Sequence, residues 1–127
     1  MKRSIIATTC AIAAVAAAAA PAADAKGGGR VVKAAAHCTG TSTGLLKVKA
    51  DDGRLAIELE VDQNRSGVRW NVRLADRGAR VFAGKARTVA PSGAFHVRKL
   101  TANRAGADVI TARATRAGET CTARVVF

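Results

Sequence analysis

"RLAIELEVDQNRSGVRWNVRLAD", Arg54 to Asp76, is the stretch whose reading decides the fold. Leu55, Ile57, Leu59 and Val61 alternate with Ala56, Glu58 and Glu60, and Val68, Trp70, Val72 and Leu74 alternate with Arg69, Asn71 and Arg73. A period of two with one apolar side is the pattern of a half-buried antiparallel strand. Between the two runs lies "DQNRSG". Asp62, Asn64, Ser66 and Gly67 stand at relative positions 1, 3, 5 and 6, as at the start of a calcium-binding helix-loop-helix. Such a loop needs flanking helices and an acidic twelfth residue. Here both flanks read as strands, the twelfth residue is Arg73, and Arg65 and Arg69 put positive charge nearby. No metal site is therefore expected. Asp, Asn, Ser and Gly are also the residues of tight connections, so the hexapeptide reads as the link that sets Leu59 and Val61 against Val68 and Trp70.

Working outward, the alternation returns in "ETCTARVVF", through Cys121, Ala123, Val125 and Phe127. Turn signals separate the apolar runs at Asp51-Asp52-Gly53, Asp76-Arg77-Gly78, Pro91-Ser92-Gly93, Asn103 to Gly106 and Ala117-Gly118. Strands are expected near 34–39, 44–50, 54–62, 67–75, 80–88, 94–101, 107–115 and 119–127, the first an irregular edge piece. About seven short strands with regular turns predict an all-β, antiparallel β-sandwich of the immunoglobulin-like or fibronectin type.

The head of the chain reads differently. Lys2 and Arg3 precede an apolar run from Ile5 to Ala20, then Pro21 and the small-x-small site Ala23-Asp24-Ala25. This is the layout of a signal peptide spanning 1–25, and its alanine-rich run is short for a membrane span. Residues 26–36 begin "KGGGR" and read as a flexible spacer. The domain is expected at 37–127, with the protein secreted after cleavage near Ala25. Cleavage discards Cys10 and leaves Cys38 and Cys121, and an even count in an exported chain argues for one disulfide. His37 beside Cys38 lacks any metal-ligand spacing.

Four pieces carry a more specific likeness: "HCTG" from His37, "KADDGRLAIELEVDQNRSGVRWNV" from Lys49, "APSGAFHVRKL" from Ala90 and "AGETCTARV" from Ala117. Together they resemble small secreted single-domain immunoglobulin-like proteins of high-GC Gram-positive bacteria, a group without an assigned function. The likeness covers about 37–127. In antibody domains the disulfide joins the two sheets at the centre. Here Cys38 opens the first strand and Cys121 lies in the last, so the bridge would tie the chain ends together.

With 21 Lys and Arg against 9 Asp and Glu, the formal net charge is +12, which favours anionic partners. If strands 67–75, 107–115 and 119–127 share a sheet, alternation turns Arg69, Arg73, Arg113 and Arg124 to one outer face, together with Thr111, Thr115 and Thr122. These four arginines form the candidate anion-binding face. On the other sheet Lys47 and Lys49 face outward beside Glu58 and Glu60, and a tight turn at Asp51–Gly53 would set Lys47 opposite Glu58. Nothing points to catalysis. His37, His96 and the scattered serines show no triad pattern, and Glu58 and Glu60 sit on an open face with no groove for sugar. No cofactor and no small-molecule substrate are expected. With no Tyr, one Trp and three Phe, mostly at core positions, the chain lacks the stacking aromatics of a sequence-specific nucleic-acid binder. The expected role is a binding or adhesion module for an anionic cell-wall or membrane-surface polymer. The alternative is a structural domain that meets another secreted protein through loops or a strand edge.

Overall fold

A computed structural model describes residues 29–127, all of them in strands or the connections between them. The expected signal peptide and the first residues of the expected spacer lie outside the described residues. Nine strands follow in order: β1 (Val31–Ala35), β2 (His37–Cys38), β3 (Thr43–Asp51), β4 (Arg54–Asp62), β5 (Arg69–Asp76), β6 (Ala79–Arg87), β7 (Ala94–Ala102), β8 (Val109–Arg116) and β9 (Glu119–Val126). They form two antiparallel sheets, β1-β3-β4-β7 and β2-β9-β8-β5-β6. The two-layer β architecture and most strand positions follow the alternation read from the sequence.

One boundary differs. Residues 31–35, expected as the end of the spacer, form β1 and pair with β3 from Val31↔Lys49 to Ala35↔Leu45. The expected edge piece is broken at Ala36. Before the break the chain pairs in the first sheet, and after it His37 and Cys38 pair with Thr122 and Cys121 in the second. A strand shared between two sheets shows no single alternation, so "VVKAAAHC" carries little periodic signal.

Three hairpins build the sheets: β3–β4, β5–β6 and β8–β9. In the first two, both central residues have positive φ: Asp52 (54°) with Gly53 (79°), and Arg77 (49°) with Gly78 (80°). That backbone matches the twist of paired strands and explains the Gly at the second position of each turn. The other five connections, at 36, 39–42, 63–68, 88–93 and 103–108, cross from one sheet to the other.

The apolar sides of the alternating runs meet between the layers. Leu46, Val48, Leu55, Ile57, Leu59 and Val61 from one sheet face Trp70, Leu74, Ile110 and Cys121 from the other, all at most 2% exposed. Trp70 and Phe95 pack with ring centroids 5.8 Å apart and planes tilted by 54°, joining the layers where β5 and β7 begin.

"DQNRSG" is one of the sheet-crossing links. The Asp62 side chain accepts from the Asn64 N–H (2.8 Å), and Asn64 takes a positive φ of 57°. The Gln63 side-chain oxygen accepts from the Trp70 indole N–H (2.9 Å), fixing the buried ring. Thr88, itself 1% exposed, donates its hydroxyl to the Arg65 carbonyl and accepts from the Val68 N–H. A Cβ on Gly93 would stand 2.2 Å from the Arg65 nitrogen, so only Gly fits against this loop. The polar residues that resemble a calcium loop are thus used on local backbone and on Trp70.

Candidate functional site

The sheet β2-β9-β8-β5-β6 has one face in the core and one toward solvent. Arg69, Arg73, Arg113 and Arg124 are all exposed on the outer face, as alternation places them. Arg73 and Arg113 are direct cross-strand partners. Opposed residues stand roughly 5 Å apart at Cβ, and like charges so placed are destabilising. Arg124 lies one alternation along β9 from Thr122, the partner of Arg113. Arg69 is at the far end of β5, and its partner across β6 is another cation, Arg87. Lys85, the partner of Asn71, joins the same face. Lys85 and Arg87 were absent from the sequence-derived set because alternation within β6 does not reveal which strand lies beside it.

Among the described residues, no acid on these strands offsets these cations. β5 and β9 carry one acid each, Asp76 and Glu119, both 3% exposed, and β6 and β8 carry none. Glu119 closes a buried network under the β8–β9 turn. It accepts from the Ser42 N–H (3.0 Å) and hydroxyl (2.7 Å), and from the Arg116 guanidinium (3.0 Å). Burial pushes its carboxyl up, but the Ser42 and Arg116 contacts outweigh burial and hold it below the ordinary value. Arg116 also lies 5.5 Å over the Trp70 ring.

Asp76 shows the opposite balance. Burial, followed by the adjacent Asp108, raises its carboxyl above the ordinary value, against the pull of Arg77 and Arg104. As a carboxylate, neither of its oxygens has a hydrogen-bond donor.

Two shallow hollows flank the Arg73–Arg113 pair. One, of about 520 Å³, is lined by both arginines with Arg124, Thr111 and Thr122. The other, of about 290 Å³, is lined by both arginines with Asn71, Lys85 and Thr115. Guanidinium and hydroxyl groups around an open hollow can hold phosphate or carboxylate oxygens by charge-assisted hydrogen bonds. A third hollow, of about 540 Å³, runs between the edges of β6 and β7 and is lined by Lys85, Arg87, Arg98 and Lys99 among others. A separate polar hollow of about 520 Å³ lies over Asp62, Gln63 and Asn64 with Arg65 and Arg116.

The other outer face is electrically different. Lys47 stands opposite Glu58, with Nζ and Oε2 2.6 Å apart, as the Asp51–Gly53 turn predicts. Arg98 reaches both Glu58 (3.5 Å) and Asp51 (3.2 Å). The Lys47 hydrogen bond leads the contacts that hold the Glu58 carboxyl below its ordinary value. His96 pairs across the strands with Glu60, and His37 sits at the edge beside Thr122, so the two histidines lie on different sheets.

Cys38 and Cys121 form a disulfide, with sulfurs 2.09 Å apart, between neighbouring strands of one sheet. Glu119 Oε lies near both sulfurs, but sulfurs joined to each other offer no thiolate to a metal. No protein-family model, characterised protein or solved structure matches the chain.

Proposed function

We propose that this is an exported, non-catalytic binding module of immunoglobulin-like or fibronectin type, which uses its basic sheet face to hold anionic polymers of the cell envelope. The observation that carries the reading is the Arg73–Arg113 pair, opposed across β5 and β8 with no acid exposed on these strands among the described residues. Two guanidiniums facing each other cost stability, and an anion between them turns that repulsion into two charge-assisted contacts. Export is supported by the disulfide, which persists in oxidising compartments. The fold reading is supported by the strand order: without β1 and β2 the layers are β3-β4-β7 and β9-β8-β5-β6, three strands facing four.

Binding to an anionic wall polymer is expected to fall steeply between low and high salt. The Arg73→Ser/Arg113→Ser variant is expected to bind at least ten-fold more weakly. Binding that ignores salt and survives the double substitution sinks the reading. It would favour a protein-interaction role instead, for which the groove between the unpaired edges of β6 and β7, with exposed Val89 at its rim, is the specific feature. A supernatant pull-down at two salt concentrations separates the two roles.

A further inference from the structure

The cations of the basic face are ordered along a line. Arg124 on β9 is diagonal to Arg113 on β8. Arg113 is opposite Arg73 on β5. Arg73 is diagonal to Lys85 on β6, because its own partner is Ala83, two residues before Lys85. Two residues further, Arg87 faces Arg69. Diagonal neighbours on adjacent strands stand about 7–8 Å apart, and residues i and i+2 on one strand about 7 Å apart. The result is four stations roughly 7 Å apart: Arg124, the Arg73–Arg113 pair, Lys85, and the Arg69–Arg87 pair. They form one stripe about 20 Å long that crosses the strands obliquely.

The hollows follow the same line. Arg73 and Arg113 are shared walls of the first two, and Lys85 is a shared wall of the second and third. Neighbouring hollows thus share a cation as a common wall. A single small anion would use one station and leave the others facing solvent.

Resting on the proposed anion-binding role, we infer that the stripe is a track for one linear polyanion, a flexible non-aromatic chain whose charged groups repeat about every 7 Å. Its backbone lies along the hollows, and Thr111, Thr115 and Thr122 offer hydroxyls beside the stations. Phosphodiester-linked polyols have this spacing, and polyuronates carry regular charge at a closer repeat. Single-stranded nucleic acid also carries regular charge, but its affinity draws on base stacking. Trp70 and Phe95 are buried, and the Phe82 ring is already covered by Lys99 at 4.6 Å.

The test titrates the full protein with glycerol phosphate and with glycerol-phosphate chains of two, four and eight units, and in parallel with oligogalacturonates of the same lengths. On the track, affinity rises at least ten-fold from two to four units and by less than about three-fold from four to eight. Whichever series binds more tightly assigns the charged group. Lys85→Gln/Arg124→Gln is expected to erase the gain from two to four units. Lys33→Gln/Lys49→Gln, which removes two charges from the opposite sheet, is expected to leave it unchanged. Equal affinity at every length, equal loss in both double variants, or tighter binding of oligothymidylate of the same charge overturns the track and leaves the basic-face reading standing. Failure of every chain to bind removes the basic-face reading itself.

Discussion

The two outer faces of the sandwich carry the same kind of cation in opposite circumstances. On the β1-β3-β4-β7 sheet, Lys47 and Arg98 converge on Glu58, and Asp51 takes a second contact from Arg98. On the β2-β9-β8-β5-β6 sheet, Arg73 faces Arg113 and Arg69 faces Arg87, and the only acids on those strands are buried. The first face is balanced by its own side chains. The second leaves its positive field directed outward, where it draws in anions. Net charge alone does not show this difference, because it depends on which residues the strand register sets opposite one another.

The contrast can be broken from inside first. Glu119→Gln removes a buried acid held below its ordinary pKa beneath the basic sheet, and leaves Arg116 and Ser42 with weaker partners. A loss of about 2 kcal/mol is expected, in the range for hydrogen bonds to a buried charged group, measured by denaturant unfolding at neutral pH. An unchanged midpoint would mean that Arg116 finds an equal partner elsewhere, its place over Trp70 included.

Asp76 sharpens the same contrast with the opposite sign. Its folded carboxyl titrates above the unfolded one, so its favourable contribution is complete below the unfolded pKa and is lost as pH rises through the folded value. Asp76→Asn keeps the shape and removes the charge beside Asp108. It is expected to raise the melting temperature at pH 7 by a few degrees, the scale of about 1 kcal/mol in a domain this size. The gain should vanish near pH 3. A gain of equal size at both pH values would rule out titration as its cause.

The smallest effects compare the faces directly. Glu58 is held below its ordinary value, so its contribution is present above the unfolded pKa and is lost as pH falls through the folded one. Glu58→Gln is expected to cost about 0.2–1 kcal/mol at pH 7 and nothing at pH 2. Arg113→Glu gives the basic face the acid it lacks and is expected to stabilise by a similar amount while abolishing anion binding. If Arg113→Glu destabilises instead, the opposed arginines are not in conflict in the free protein.

Much of this was legible in the residues. The alternation in Arg54–Asp76 gave β4 and β5 to within two residues, and the Asp-Gly turn put Lys47 opposite Glu58. The outward positions of Arg69, Arg73, Arg113 and Arg124 followed from period two alone. What stayed hidden is lateral. Alternation states which side of a strand a residue faces, but not which residue of a neighbouring strand stands opposite it. Hence the facing of Arg73 by Arg113, and the membership of Lys85 and Arg87, appeared only with the sheet order. Asp76 and Glu119 were hidden for another reason: each sits beside a turn, where an acid reads as solvated, yet each is covered by an adjacent connection.

The split first strand and its disulfide have a mechanical consequence. Cys38 and Cys121 are 83 positions apart in sequence but adjacent in space. Tension applied between the two ends of the domain passes through that covalent link and bypasses β3 to β8. Pulling can peel β1 from β3 and strip the last residues of β9, but it cannot extend the loop between the cysteines. If the protein is tethered at one end and its basic face is engaged with a polymer, β5, β6 and β8 of that sheet stay folded under load, with Arg73 and Arg113 inside the shielded loop.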